Sequence, residues 1–451
     1  MQEKIFKAYD VRGIYPEEIN EGIAYKIGRA FVKFLGAKNV VIGRDIRESS
    51  PSLFEELKRG ITDEGADAYD LGLATTPMVY FASGKMDVDG GIMLTASHNP
   101  KEYNGMKFCR KNAVPVGENS GLLEIKDMVM SDNFEISEKN KGETFSKDIK
   151  NEYFEYFSGF LNIKDKKFEL IIDTANAMGI LELEIYKKFP QNLEIETLYD
   201  DFDSSFPNHE ANPLKLETLE ALQKEVISEK ADLGIAYDGD ADRVGFIDEK
   251  GEVIPMDLLT GLIAKIILEK NPGATILYDL RSSMAVREII EENGGTANEC
   301  RVGHALIKKQ MLEDGAVFAG ELSGHYYFKE NFNAEAGSLP AIYILNLLAE
   351  TGKPISELVK ELRRYYHSGE INSEVNDKDA VLTKLKEKYK DGKLDELDGV
   401  KISYWNKEKG SRWWFNVRPS NTEPVLRLNL EADSKELMEE KLKEILEIIK
   451  G

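Results

Sequence analysis

Four short polar loops hold the residue types that could do chemistry in this 451-residue sequence. In Thr95-Ala-Ser97-His-Asn-Pro100 a serine sits in a small-residue turn after an apolar run, with Asn104-Gly-Met-Lys107 just beyond. Its hydroxyl is a candidate nucleophile, but a hydroxyl needs a base or a metal to activate it. Ser97, His98 and Asn99 lie too close in sequence to form a triad of the usual kind. On composition alone the loop also reads as a capped turn opened by Asn99-Pro100.

Asp238-Gly-Asp240-Ala-Asp242-Arg243 places three carboxylates at alternate positions of a tight turn. Such a set can converge on one hard cation, and oxygen-only ligation favours Mg2+ or Ca2+ over zinc. An EF-hand loop is the competing pattern, because Glu249 falls at its twelfth position. Arg243 stands at the sixth, however, where that loop needs glycine. Gly320-Glu321-Leu-Ser323-Gly-His325 sets Glu, Ser and His on one face if the backbone stays extended, which suits vicinal sugar hydroxyls. Finally, Arg418-Pro-Ser420-Asn421-Thr422-Glu-Pro424, followed by Arg427, puts two guanidiniums around a hydroxyl-rich turn. That is a cradle for a phosphate dianion. The four loops together point to phosphoryl transfer on a phosphosugar, and the absence of GxxxxGK[ST] and GxGxxG patterns leaves a nucleotide donor unindicated.

The elements around these loops repeat. Three β-rich runs, Val40–Gly43, Leu170–Asp173 and Ile276–Asp279, each lead through an Asp into a polar turn and a helix. Ser50-Pro51 opens the first of these helices, with Ser50 as N-cap. Each is followed by a second apolar run ending in one of the polar loops: Gly91–Leu94, Leu233–Tyr237 and Val317–Ala319. This alternation is the α/β pattern, three related units with a functional loop at the carboxyl end of a strand. The polar segment near Ser137–Ser146 reads as a link between the first two units. Asp248–Gly251 reads as a hairpin tip and Met256–Lys270 as a helix. Beyond Tyr365–Asp377 the pattern changes to a smaller α+β domain, with strands through Trp413–Val417 and Val425–Leu430 and a closing amphipathic helix from Ser434. The predicted segments are 1–146, 147–250, 251–367 and 368–451.

Composition narrows the partners. The length fits roughly two to four domains, and 42% hydrophobic residues is a globular content. A net charge of −22 argues against nucleic acid, which requires Lys/Arg stripes. Cys109 and Cys300 lie far apart without metal-spaced partners, so a reducing, cytoplasmic setting is expected. No run approaches the ~18 apolar residues of a membrane span, and the amino terminus lacks a signal-peptide pattern.

From Phe6-Lys-Ala-Tyr9-Asp-Val-Arg12-Gly13 through the Arg418 loop, the chain resembles the α-D-phosphohexomutases, in their phosphomannomutase/phosphoglucomutase branch. The Ser97 loop combined with the Asp238–Arg243 loop is the specific part of the resemblance. It implies three similar α/β domains plus a smaller α+β C-terminal domain around a central cleft. It implies a phosphoserine at Ser97, with one Mg2+ per site between that phosphate and Asp238, Asp240 and Asp242. It also implies that Glu321, Ser323 and His325 hold sugar hydroxyls and that Arg418, Ser420, Asn421, Thr422 and Arg427 grip the non-reacting phosphate. Tyr9, Arg12, Lys107, Arg243, Arg281 and His304 fall on cleft positions. Arg12 and Lys107 are cationic helpers by this likeness, with proton transfer assigned to Lys107 or His304. Arg281 replaces the Lys of relatives, and Asn333–Gly337 lacks their Asp pair.

The implied activity is exchange of mannose or glucose phosphates between the 1- and 6-positions, with a hexose 1,6-bisphosphate as intermediate and activator. The expected partner is a small phosphosugar, and the expected assembly a monomer or weak homo-oligomer. A phosphoglucosamine mutase and an inactive sugar-phosphate-binding paralogue are the alternatives.

Overall fold

A computed structural model describes residues 3–134, 141–405, 410, 412–419 and 425–450. They form two compact units: residues 1–256 with 303–358, and residues 257–302 with 359–451.

In the first unit, β1 (Val11–Ile14), β2 (Asn39–Arg44), β3 (Asp67–Leu73), β4 (Gly90–Leu94), β5 (Tyr103–Arg110) and β6 (Thr144–Ser146) form one sheet in the order β1-β5-β4-β2-β3-β6. β2 pairs in parallel with both β3 and β4, whereas β5 returns antiparallel to β4 and β1 pairs antiparallel with β5. Every residue of β4, Gly-Gly-Ile-Met-Leu, is buried, as a strand covered on both faces must be. The second sheet repeats the scheme with β7 (Phe168–Asp173), β8 (Leu193–Leu198), β9 (Leu233–Tyr237) and β10 (Val244–Asp248) in the order β10-β9-β7-β8. Here β9 is the fully buried parallel strand and β10 the antiparallel return.

In the second unit, β11 (Thr275–Asp279) and β12 (Thr296–Cys300) pair in parallel. A third copy of the strand-and-return device closes the first unit: β13 (Phe318–Gly320) pairs antiparallel with β14 (Tyr326–Phe328), which pairs with β15 (Ala334–Glu335). The functional loops are therefore the connections from a buried strand to its antiparallel neighbour. Buried apolar runs were legible as strands; the reversal of direction after each loop was not.

The three Asp-ended strands share one turn. Asp45 accepts the Arg47 amide at 3.1 Å, Asp173 the Ala175 amide at 2.8 Å and Asp279 the Arg281 amide at 2.8 Å. A carboxylate that bonds the amide two residues on reverses the chain into the following helix. Ser50 is not the expected cap of its helix. It lies inside Ser50–Asp63, and its hydroxyl donates to Asp45 at 2.6 Å.

The remaining strands, all in the second unit, are β16 (Tyr366–His367), β17 (Ile371–Glu374), β18 (Lys393–Asp395), β19 (Val400–Ser403), β20 (Trp413–Pro419) and β21 (Val425–Ala432). β16 and β17 both pair with β21, so the terminal sheet opens within the segment near 365–377 where the pattern changes. Likewise Thr144–Ser146, expected in a link, is an edge strand paired with β3. The helices Lys378–Lys388 and Lys435–Lys450 pack on this sheet through Leu385, Ile445 and Ile449. Within the same unit, Glu431 accepts the Met284 amide and the Trp414 indole at 2.9 and 2.8 Å, and Lys401 ion-pairs with Glu299 at 2.5 Å. No helix among the described residues is long and apolar enough to cross a membrane.

Candidate active site

Ser97 follows the buried strand β4 through Thr95, whose amide is held by the Gly105 carbonyl at 2.9 Å and whose hydroxyl accepts the Ser97 amide at 2.9 Å. Ser97 itself has φ 52°, a left-handed conformation that costs a non-glycine residue energy and is kept only where surroundings impose it. Those surroundings centre on Arg47. Its guanidinium is 1% exposed and donates to the carbonyls of Ser97, Asn99, Pro100 and Tyr103 at 2.7–3.0 Å, while Asp45 balances its charge. Arg47 was missed in the sequence, although it occupies the same place after Asp45 that Arg281 holds after Asp279.

The serine hydroxyl donates to Asp238 Oδ2 at 3.0 Å. Asp238 Oδ1 accepts the amides of Asp242 and Arg243 at 3.1 and 3.2 Å, which closes the acidic turn. The two loops meet at Gly239: a Cβ there would lie 2.3 Å from the Ser97 carbonyl oxygen, so only glycine permits the approach. β5 delivers Lys107, whose ammonium bonds Asp240 Oδ2 at 2.6 Å and also bonds Asp242 Oδ2. Burial opposes the charge on Lys107, but the three aspartates outweigh it and raise its pKa. Burial, followed by the like charges of Asp240 and Asp242, pushes the Asp238 carboxyl up. β1 delivers Arg12, which bonds the Asn99 side chain at 2.6 Å and ion-pairs with Asp10. Thr76 donates to Asp240 Oδ2 at 2.5 Å, and its amide bonds the Asp240 carbonyl at 3.0 Å.

One carboxylate oxygen from each of Asp238, Asp240 and Asp242 lies within 4.8 Å of the others, and all three residues are buried. Asp240 Oδ1 is buried with no hydrogen-bond partner. An all-oxygen set with an unsatisfied buried acceptor fits a hard divalent cation.

Residues 321–325 are not extended, as the one-face reading supposed. The Gly324 amide bonds the Glu321 carbonyl at 3.1 Å, forming a turn with Gly324 at φ 81°. The turn still gathers the three side chains, with Ser323 Oγ 2.9 Å and Glu321 Oε2 3.1 Å from His325 Nδ1. It is joined to the acidic loop by the Val244 amide on the Gly324 carbonyl at 3.1 Å and by His325 Nε2, 3.3 Å from Asp242. Burial lowers the His325 pKa, but Asp242 and Glu321 prevail and raise it to about 9. Arg243 Nε, 3.2 Å from His325 Nε2, can hydrogen-bond the ring only while it is neutral.

The Gly303 amide bonds Glu321 at 3.1 Å, so His304, at the start of helix His304–Asp314, is tied to this loop. Tyr9 meets the imidazole edge-on at 5.6 Å. Burial first, then the charges of Lys308 and Lys107, push the His304 pKa well down; neither ring nitrogen makes a hydrogen bond. Glu335 stands 3.6 Å from His304 Nδ1 and ion-pairs with buried Lys308 at 2.9 Å, so a carboxylate is present in the segment that lacks the Asp pair.

A second missed residue braces the loops from behind. Glu182 is fully buried and accepts the hydroxyls of Thr75 at 3.1 Å, Tyr153 at 3.0 Å and Ser338. Thr75 caps the helix Thr76–Lys85 and precedes the Thr76 that holds Asp240.

The second unit gathers Arg281, Arg418 and Arg427 around Glu370. Ser420, Asn421 and Thr422 lie outside the described residues. Sequence reading thus located one group spanning Arg12, Ser97, Lys107, Asp238–Arg243, Glu321–His325, Tyr9 and His304, and a separate arginine group.

Four family profiles cover nearly all of this framework. The phosphoglucomutase/phosphomannomutase α/β/α domains I, II and III match residues 3–135, 149–251 and 255–366, and the C-terminal domain matches 370–448. A phosphomannomutase of Methanocaldococcus jannaschii is 43% identical over 99% of this chain and 97% of its own length. One from Escherichia coli K12 is 36% identical over 95% and 94%. A crystal structure of a phosphoglucomutase/phosphomannomutase family protein from Burkholderia thailandensis superposes with a TM-score of 0.90, at 30% identity and covering 100% and 98%. With its four domains in order and its buried serine and acidic loops in contact, the chain belongs to the phosphoglucomutase/phosphomannomutase family of phosphohexomutases.

Proposed function

We propose that the protein interconverts hexose 1-phosphate and hexose 6-phosphate, with mannose or glucose as the sugar, through a phosphoserine at Ser97 and a hexose 1,6-bisphosphate. The observation that carries this is the hydrogen bond from the buried Ser97 hydroxyl to Asp238 at 3.0 Å, next to the Lys107–Asp240 pair and with Arg243 3.7 Å from the same Asp238. The free hydroxyl of the sugar phosphate attacks the phosphorus of phospho-Ser97, the bond from phosphorus to Ser97 Oγ breaks, and the sugar becomes a bisphosphate. After the bisphosphate turns over, Ser97 Oγ attacks the other phosphate, and the product leaves as the isomeric monophosphate.

Ser97, Asp238, Asp240 and Asp242 would hold Mg2+, which when bound supplies positive charge beside the transferring group. Lys107 remains an ammonium and, with Arg12 and Arg243, balances charge on that group; such preorganised charge is the main resource of phosphoryl transfer. His304, kept neutral, is the side chain suited to accept the proton of the attacking hydroxyl at a ring nitrogen. Glu321, Ser323 and His325 present acceptors and donors to sugar hydroxyls, Tyr9 packs on His304, and the distal phosphate goes to Arg281, Arg418 and Arg427. On this reading, segments 1–146, 147–250, 251–367 and 368–451 supply the nucleophile, metal, sugar and phosphate loops respectively. Buried thiols at Cys109 and Cys300 accord with work in the cytoplasm.

Phosphorus NMR of mannose and glucose 1-phosphates with Mg2+ and a trace of glucose 1,6-bisphosphate tests this. Wild type should yield the 6-phosphates, and Ser97→Ala should yield none. Steady release of inorganic phosphate, or conversion by Ser97→Ala, would refute the phosphoserine cycle. Conversion of glucosamine phosphates alone would move the substrate to that sugar.

A further inference from the structure

A cradle built for a phosphate dianion already contains an anion belonging to the protein. Glu370 Oε2 is 3.1 Å from Arg418 Nη2 and 3.5 Å from Arg281 Nη1, and Glu370 Oε1 is 3.3 Å from Arg427 Nη1. Asn429 Nδ2 lies 3.4 Å from the same carboxylate. One side chain thus meets three guanidiniums, the arrangement expected of a bound oxyanion. Burial disfavours its charge, but Arg281, Arg418 and Arg427 prevail and lower its pKa, so it is ionised wherever the enzyme works.

Two further features distinguish it from a fixed strut. Glu370 lies on the connection between β16 and β17, outside both strands and 22% exposed at its side chain, with Gly369 at φ 70° before it. Its carboxylate can therefore withdraw without breaking the pairing of either strand with β21. In addition, Arg418 is 7% exposed and its Nε is buried without a hydrogen-bond partner. The carboxylate leaves donor capacity in the cradle unmet, which a larger, doubly charged group would use. Asp279 also pairs with Arg281. A dianion that enters while Glu370 stays would meet a like charge on the same guanidiniums, so the two anions compete.

We propose that Glu370 is a built-in competitor of substrate phosphate, a carboxylate that occupies the arginine cradle between turnovers and weakens its hold on either end of the bisphosphate. This rests on the mutase reading above, in which the intermediate must release one phosphate and present the other. A cradle of unopposed arginines would bind the first phosphate too well to let it go. Glu370 is thus a positioning residue that acts through the arginines.

The test is calorimetric titration of glucose 6-phosphate, and separately of inorganic phosphate, into full-length protein, for wild type, Glu370→Gln and Glu370→Asp. Glu370→Gln keeps the shape and removes the charge; it should tighten both ligands about tenfold, equivalent to about 1.4 kcal/mol. Glu370→Asp, with its charge withdrawn by one methylene, should fall between. In steady state Glu370→Gln should lower KM and kcat together, because departure from the cradle slows. Unchanged or weaker binding, with KM raised, would show that Glu370 only props the guanidiniums and would overturn the proposal. Should Glu370→Gln fail to fold, Glu370→Asp decides by the same sign. Absence of glucose 6-phosphate binding in folded wild type would instead count against the mutase reading, and the phosphate titrations would still judge Glu370.

Discussion

Replacing Glu182 by Gln should make the protein relatively more stable as pH rises, and the size of the effect follows from burial. Burial raises this carboxyl from the ordinary 4.5 to about 7, although the hydroxyls of Ser338, Tyr153 and Thr75 pull it back. The folded chain therefore holds this proton more tightly than the unfolded chain does. The stabilising contribution is complete below pH 4.5, is lost as pH rises towards 7, and stays lost above. The whole loss corresponds to roughly 3 kcal/mol, of which about 2.5 kcal/mol falls between pH 5 and pH 8. Glutamine occupies the same space, accepts hydroxyl hydrogens and never ionises. The difference in Tm, variant minus wild type, should thus increase by about 4 °C from pH 5 to pH 8 for a unit of this size. Thermal melts by circular dichroism at pH 5, 6, 7 and 8, at fixed ionic strength, measure it. A difference that stays flat, or that moves in favour of wild type at high pH, would refute the claim that an ionisable carboxyl is buried there at a cost.

Three other substitutions probe the phosphoryl-transfer site. Arg47→Lys removes most of the contacts to four loop carbonyls. It should cost on the order of 3 kcal/mol and lower kcat, with thermal melts and steady-state assays reading the two effects. Gly239→Ala drives a methyl group against the Ser97 carbonyl; turnover should drop by at least about tenfold while calorimetric binding of glucose 6-phosphate persists. Lys107→Ala should lower kcat by about 10²–10³, and because the residue acts as a cation rather than a base, added methylammonium should restore part of the rate whereas raising the pH should not.

What the sequence disclosed, and what it withheld, has a physical pattern. β4 and β9 were legible because strands buried on both faces are continuously apolar and then end abruptly in polar residues. The three aspartates were legible because their spacing is local. Contacts across long separations were not: Thr76 and Asp240 are 164 residues apart and Thr75 and Glu182 are 107 apart, and nothing in either neighbourhood marks the partner. Glu370 was overlooked because an acid near a phosphate cradle is chemically unexpected. The Glu321–His325 loop was read as extended where it is a turn, since alternation alone cannot distinguish a strand from a turn carrying Gly324 at positive φ. Arg47 alone among the missed residues had a usable signal, its offset after Asp45 matching that of Arg281 after Asp279.

The strand that carries Arg12 lies at a sheet edge, and its neighbour there is β5, completed about 90 residues later. At ribosomal speeds of about 5–20 residues per second, β1 leaves the exit tunnel and remains unpaired for several seconds until Tyr103–Arg110 follows. Asp238, which holds the serine hydroxyl, is made later again. A nascent chain shorter than Arg243 consequently displays the Ser97 turn without the carboxylates around it. The hydrogen bond from Ser97 to Asp238 can therefore form only after the chain has been made through the second sheet's loop.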